Sequence, residues 1–168
     1  MKALTVWQPW ASLIIAGAKP YEFRGWRAPR ALVGQRIVIH AAARKMNRHE
    51  LSDLFHLRQF RNVDNTIKLA WAETCLIAEK AQGVLNRALE GGLPMSAGLG
   101  TVVLGEPRNG IDIAAEFGVP RANDSNRDEH ANWGWPMLDI EAWPEPIPMR
   151  GAQGFWTWPT PEQFEGVL

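Results

Sequence analysis

Between residues 1 and 26 the chain has room for one local arrangement. ALTVW (3–7) is a run of strand-forming residues. Pro9 follows, and suits the first turn of a helix, where its missing N–H costs nothing. Trp10, Leu13 and Ile14 then fall on one helical face, and Gly17 ends the run. YEFRGW (21–26) alternates, with Tyr21 and Phe23 on one side and Glu22, Arg24 and Trp26 on the other. A strand, a short helix over 9–16 and a second strand therefore open the fold, with Lys19 just past the helix end.

The rest of the chain extends this pattern. QRIVIHAA (35–42) is a strong strand, in which Ile37 and Ile39 alternate with Val38 and His40. Residues 46–60 read as a helix capped by Asn47, with Leu51, Leu54, Phe55 and Leu57 as its apolar positions. Residues 65–90 read as one or two further helices. LGTVVLGEP (99–107) is a strand, extended or paired by IDIAAEF (111–117). PRANDSNRDEHA (120–131) is polar and reads as a mobile surface loop. NWGWPMLDIEAW (132–143) returns to strand character, PEPIPMRG (144–151) is a proline-rich turn, and GFWTWP (154–159) is a last strand. The expectation is one α+β domain over 1–168, built on a small closed or nearly closed sheet with a helical insertion at about 46–90.

Composition narrows the function classes. Hydrophobic residues make up 46% and charged residues 21%, a globular balance that excludes a disordered chain. No apolar run reaches the roughly 18 residues of a membrane span. MKALTVWQPW has no secretory h-region, so a cytoplasmic location is expected. Cys75 stands alone, which rules out an internal disulfide and leaves it as a small buried hydrophobe. The net charge is zero, yet residues 1–68 hold 12 Lys and Arg against 4 Asp and Glu, and residues 69–168 hold 6 against 14. Either the halves neutralise each other across the fold, or the arginine-rich half presents a basic patch. Nine tryptophans accompany a single tyrosine. Some fill the core; several together also make a stacking surface for a flat ligand such as a nucleobase.

WQPWASLIIAGAKPYEFRGW (7–26) resembles the opening of the ASCH domain family, the activating signal cointegrator homology group. In that family a Q-P-W-A element leads into a short helix and a G-x-K-x-x-E-x-R motif. Here these are Gln8-Pro9-Trp10-Ala11, then Gly17, Lys19, Glu22 and Arg24. RIVIHAA after Gly34, LGTVVLGE (99–106), WGWPMLDIEAWPEPIPMRG (133–151) and GAQGFW (151–156) extend the resemblance to both ends of the chain. It implies a small PUA-like β-barrel with a cleft beside the first helix, and a nucleic-acid or nucleotide ligand.

Lys19, Glu22 and Arg24 are then the central candidates. A lysine is a point charge for phosphate, an arginine a bidentate fork, and a glutamate an acceptor for an exocyclic amine or a general base. The other reading is a structural cluster in which Glu22 neutralises both cations. Gln8, Trp26, Trp135 and Gln153 are further ligand-binding candidates, with core packing the alternative for Trp135. His40 either lines the cleft as a general acid or base, or is a hydrogen-bonded structural histidine. His49, His56 and His130 read as surface residues. No HExxH, CxxC, GxxxxGK[ST] or G-x-S-x-G motif is present, and neither a metal nor a cofactor is expected.

The leading expectation is a binding module for single-stranded RNA or a modified nucleobase, with no membrane partner. The alternative is an enzyme working in the same cleft, a ribonuclease or a nucleoside amidohydrolase that uses Lys19, Glu22 and His40. Family amidohydrolases that deacylate N4-acetylcytidine carry a threonine nucleophile three residues after the lysine. Glu22 occupies that position here and cannot form the same hydrolysable ester. A third expectation is a protein-docking surface on the 46–90 helices, which requires Leu51, Phe55 and Leu57 to be exposed.

Overall fold

In a computed structural model, which describes residues 1–58 and 71–160, the chain forms a mixed α+β domain. Its elements are β1 (Lys2–Val6), α1 (Trp10–Ile15), β2 (Tyr21–Arg24), a 3-10 turn (Arg30–Leu32), β3 (Arg36–Ala41), α2 (Arg48–Arg58), α3 (Ala78–Leu89), β4 (Ala97–Leu104), β5 (Arg108–Asn109), α4 (Gly110–Phe117), a second 3-10 turn (Asp128–Ala131), β6 (Trp133–Pro148) and β7 (Phe155–Thr157). The expected strand, short helix and strand open the fold. The expected helices at 59–60 and 65–70 lie outside the described residues, as does the tail from 161.

The strands form one sheet in the order β2-β6-β4-β3-β1-β7, with β5 added beside β6. β1 and β3 run parallel and the other pairs antiparallel. Register shifts interrupt the β3–β4 ladder at Ile39/His40 and the β4–β6 ladder at two places. Such bulges bend strands and deepen the twist. The sheet curls so far that Trp135 on β6 stacks on Phe155 of β7, with centroids 5.7 Å apart and planes 11° apart, although three strands separate them in the order. The result is a curled half-barrel, consistent with the small PUA-like β-barrel that the family resemblance implies.

Alternation decides what fills the curl. Leu4, Val6, Ile37, Ile39, Ala41, Val102, Leu104 and Trp135 point inward, and α1 closes the space with Ala11 and Ile14. Leu13, on the other side of α1, packs with Leu51, Leu54, Trp71, Val84 and Leu85, so α2, α3 and the segment before α3 cover the helix. Leu51 is thus buried, against the docking-surface expectation; the side chains of Phe55 and Leu57 lie outside the described residues. A third group, Tyr21, Phe23, Cys75, Ile113 and Ala114, joins β2 to α4.

Two segments differ from their sequence pattern. IDIAAEF is a helix, not a strand. The Asn109 side chain accepts the Ile111 N–H as an N-cap, and Gly118 ends the helix at φ +66, so both ends are specified. PEPIP continues β6 to Pro148 and is not a turn. Residues 143–146 fall between two stretches of the β4 register, so Pro144 and Pro146 occupy positions that owe no ladder hydrogen bond.

Candidate nucleic-acid interface

Lys19 is the centre of a buried charge cluster. Its side chain is 1% exposed, 3.3 Å from Glu22 Oε2 and paired with Asp124. Nζ also donates to the Tyr21 carbonyl at 2.6 Å. An ammonium has three N–H donors, and all three are engaged. Nζ also lies over the rings of Trp10 and Phe23, 5.5 and 5.0 Å from their centroids. The sequence places these groups well: the helix stop at Gly17 turns Lys19 inward, and Glu22 enters three residues later on β2.

Glu22 is shared between two cations. Oε1 accepts from Arg24 Nε at 3.0 Å and lies 2.8 Å from a terminal guanidinium nitrogen, while Oε2 faces Lys19. Burial alone raises the Glu22 pKa, but Lys19 and then Arg24 override it and hold the carboxyl below its ordinary value. Burial likewise works against the Lys19 ammonium, and Asp124 and Glu22 together raise its pKa regardless. Asp124 goes the other way. Burial raises its pKa and the Glu22 charge adds to that, beyond what Lys19 offsets. Two carboxylates share one ammonium, and the one with a second cation is the stronger acid.

Arg24 carries this cluster outward. Its guanidinium is 5.7 Å from the ring centroids of both Trp26 and Trp135. Trp26 is 56% exposed, whereas Trp135 is 1% exposed. Trp135 therefore belongs to the core and not to a stacking wall. It meets Trp26 edge-on at 6.0 Å and donates from Nε1 to the Trp26 carbonyl at 3.0 Å, which fixes the exposed ring's backbone. Arg27 adds a second pair, 4.8 Å from the half-buried Trp133 ring.

The polar loop after α4 supplies residues that the sequence pattern hides. Asn123 anchors it: the backbone N–H donates to the Glu73 carbonyl at 2.8 Å, and the side chain binds the Arg127 carbonyl and the Ser125 N–H. The segment is thus a fastened turn, which brings Asp124 to Lys19. His130, expected at the surface, is half-buried with Nδ1 2.9 Å from Ser125 Oγ. Ser125 Oγ also accepts the Arg127 N–H at 3.1 Å. Burial lowers the His130 pKa, with Arg24 acting in the same direction and Asp124 opposing. No sequence signal pointed to Asp124, since the need for a second carboxylate follows only once Lys19 is known to be buried.

Other candidates lie apart from this cluster. His40 is 1% exposed and contacts Thr5 Oγ1 at 3.2 Å, the Met149 carbonyl at 2.8 Å and the rings of Trp156 and Trp158. Those are structural partners, and none belongs to the Lys19 cluster. Gln8 is also buried. Its amide donates to Ser12 Oγ and to the Pro94 carbonyl, and its Oε1 accepts the Ser12 N–H, so it fastens the start of α1. Gln153 is exposed in the β6–β7 loop. Among the described residues no group of three His, Cys, Asp or Glu side chains is placed to hold a metal ion. No described helix is long and apolar enough to cross a membrane.

A mixed domain with a curled half-barrel sheet, a short helix after its first strand and a Lys–Glu–Arg cluster at that helix's end defines the class. The sequence places it further: the ASCH domain matches residues 4–90, just over half of the 168, and the chain belongs to the ASCH domain family. Among solved structures, the chain is similar to the ASCH protein of Zymomonas mobilis, at 15% identity and a TM-score of 0.49, over 99% of this chain and 92% of that one. Two point variants of that protein are similar to it as well, at 15% and 14% identity with TM-scores of 0.48 and 0.47; the matches cover 99% of this chain and 92% and 94% of theirs. No curated protein matches the sequence.

Proposed function

We propose that the protein binds single-stranded RNA, or a modified nucleobase within it, at the edge formed by Arg24 and Trp26. One observation carries this reading: an exposed indole stands beside a guanidinium whose position is fixed from below by Glu22. Trp26 offers a face on which a base stacks, and Arg24 a charge for the adjoining phosphate or a donor for a base edge. Lys19 and Asp124 are the floor of the site. Asp124 holds Lys19, Lys19 holds Glu22, and Glu22 holds Arg24. Membership of a family generally linked to RNA binding supports the same ligand class.

The test is fluorescence anisotropy of a labelled single-stranded RNA at two salt concentrations, with Arg24→Gln and Trp26→Ala. Salt-sensitive binding that weakens in both variants is expected. Binding that is unchanged in both, or absent in the wild type, overturns the reading.

A second reading is favoured by the Ser125–His130 hydrogen bond. His130 Nδ1 is within reach of the Ser125 hydroxyl proton, in the manner of a nucleophile and its base. That pair would serve a ribonuclease or a nucleoside amidohydrolase better than Lys19, Glu22 or His40, which are buried where Ser125 and His130 are only partly so. Intact label on a gel, and no deacylation of N4-acetylcytidine, would remove it.

A further inference from the structure

Trp7 is the other strongly exposed tryptophan, at 50%, and it lies outside the Lys19 cluster. It follows directly after β1, where the alternation has just buried Leu4 and Val6, and its carbonyl accepts the Ala11 N–H at the start of α1. Against its ring lies the Arg44 guanidinium, 3.8 Å from the centroid. The other arginine–aromatic pairs of the described residues span 4.8 to 5.7 Å, so this one is stacked closest.

Arg44 differs from the paired arginines in what neutralises it. Arg24, Arg27, Arg36, Arg108 and Arg121 each hold a carboxylate. Among the described residues no carboxylate pairs with Arg44. Stacking occupies the face of a guanidinium and leaves its in-plane N–H donors for an anion. Lys45 and Arg48 follow it, both exposed, and Glu50 and Glu90 are the acids nearby, on α2 and beside the recess that Lys45 and Arg48 line. Here the basic excess of the N-terminal half reaches the surface.

We propose that Trp7 and Arg44 form a second platform for single-stranded RNA, taking one base on the indole and one phosphate on the guanidinium. The inference rests on the RNA-binding reading of the Arg24–Trp26 edge and extends it across the N-terminal turn of α1. The turn that carries Trp7 touches the cluster that positions Arg24. Trp10, three residues after Trp7, packs over Lys19 Nζ, and three residues span at most about 11 Å. The exposed indole supplies sequence-tolerant stacking and the basic run matches a polyanion. An RNA engaged at both platforms is longer than one that fills the Arg24–Trp26 edge alone.

The experiment compares oligouridylates of three and twelve nucleotides, the longer matching the roughly 4–16 nucleotide footprints of single-strand-binding folds. Binding is measured by anisotropy for the wild type, Trp7→Ala, Trp7→Phe and Arg44→Ala. Trp7 and Arg44 are exposed, so the variants keep the fold, and thermal unfolding verifies it. Trp7→Ala is expected to weaken the twelve-nucleotide RNA at least about fivefold and leave the three-nucleotide RNA unchanged, with Trp7→Phe recovering part of the loss. Arg44→Ala is expected to flatten the slope of log affinity against log salt by about 0.7, the value of one single-strand phosphate contact. If both variants bind the long RNA like the wild type, the platform is overturned and the Arg24–Trp26 reading stands. If Trp7→Ala weakens both lengths equally, Trp7 is part of the first site and the second platform is overturned. If the wild type binds neither RNA, the Arg24–Trp26 reading fails and this inference fails with it.

Discussion

Lys19 and Asp124, 105 residues apart in the chain, form an ion pair in the interior, and that pair ties the turn after α4 to the start of β2. Removing the ammonium leaves two buried carboxylates facing each other. Lys19→Ala is expected to destabilise the fold by about 3–5 kcal/mol, the usual result of breaking a buried pair on one side. Asp124→Asn is expected to do less, because Lys19 keeps Glu22 and the Tyr21 carbonyl as partners. Urea unfolding of the two variants measures the difference, and equal losses would contradict the assigned charges.

Two tryptophans in edge-on contact are expected to separate stability from binding. Trp135 is buried and stacked on Phe155, so Trp135→Ala is expected to cost about 3–5 kcal/mol. Trp26→Ala removes an exposed ring and keeps the backbone carbonyl that accepts the Trp135 N–H. Its stability is expected to stay within about 0.5 kcal/mol of the wild type. Its RNA affinity is expected to fall by the roughly 1–3 kcal/mol of one stacked base. Thermal unfolding and anisotropy on the same preparations read both quantities.

Acid is expected to destabilise the fold through its histidines. Burial lowers the His40 pKa below its ordinary 6.5, against the upward pull of the Met149 carbonyl, and burial lowers that of His130 too. A lowered pKa means that the unfolded chain takes the proton first. This stability is therefore complete above pH 6.5 and lost as pH falls from 6.5 through the folded-state values. Each histidine adds a slope of at most about 1.4 kcal/mol per pH unit. Unfolding free energies from pH 8 to 5 test this, and His40→Gln is expected to flatten the profile.

Cys75 is expected to resist alkylation in the native protein. It is 2% exposed, and burial pushes its thiol up to about 12, so almost no thiolate forms near neutral pH. Iodoacetamide at pH 8, followed by mass spectrometry, is expected to label it only after urea is added. Rapid native labelling would contradict the burial.

Gly110 is expected to tolerate no side chain. A Cβ there would sit 1.8 Å from the Ala131 carbonyl oxygen, which ends the 3-10 turn bearing His130. Gly110→Ala is expected to displace that turn and cost about 1–3 kcal/mol. A melting temperature equal to the wild type would show that the two segments do not touch.

Much of the fold was legible in residues that act on near neighbours. The β1–α1–β2 opening follows from alternation, Pro9 and Gly17, and the inward face of β3 from Ile37 and Ile39. IDIAAEF misled because its apolar spacing fits a strand as well as a helix, and only the caps at Asn109 and Gly118 separate them. The site was half legible. Lys19, Glu22 and Arg24 lie within six positions, and β2 alone brings the last two together. Trp135 and His40 were not separable from ligand residues by pattern, since a buried aromatic and an exposed one look alike in a strand.

The sequence by itself determined the β1–α1–β2 opening, the β3 alternation, the family and the Glu22–Arg24 pair, because each depends on residues a few positions apart. Tertiary structure alone decided that Lys19 is buried, that Asp124 pairs with it, that Ser125 meets His130, and that Trp26 and Trp7 are left to solvent. Those outcomes depend on how far the sheet curls and where a distant turn is fastened. Burial and charge pairing are properties of the whole packed chain, and a local pattern does not carry them.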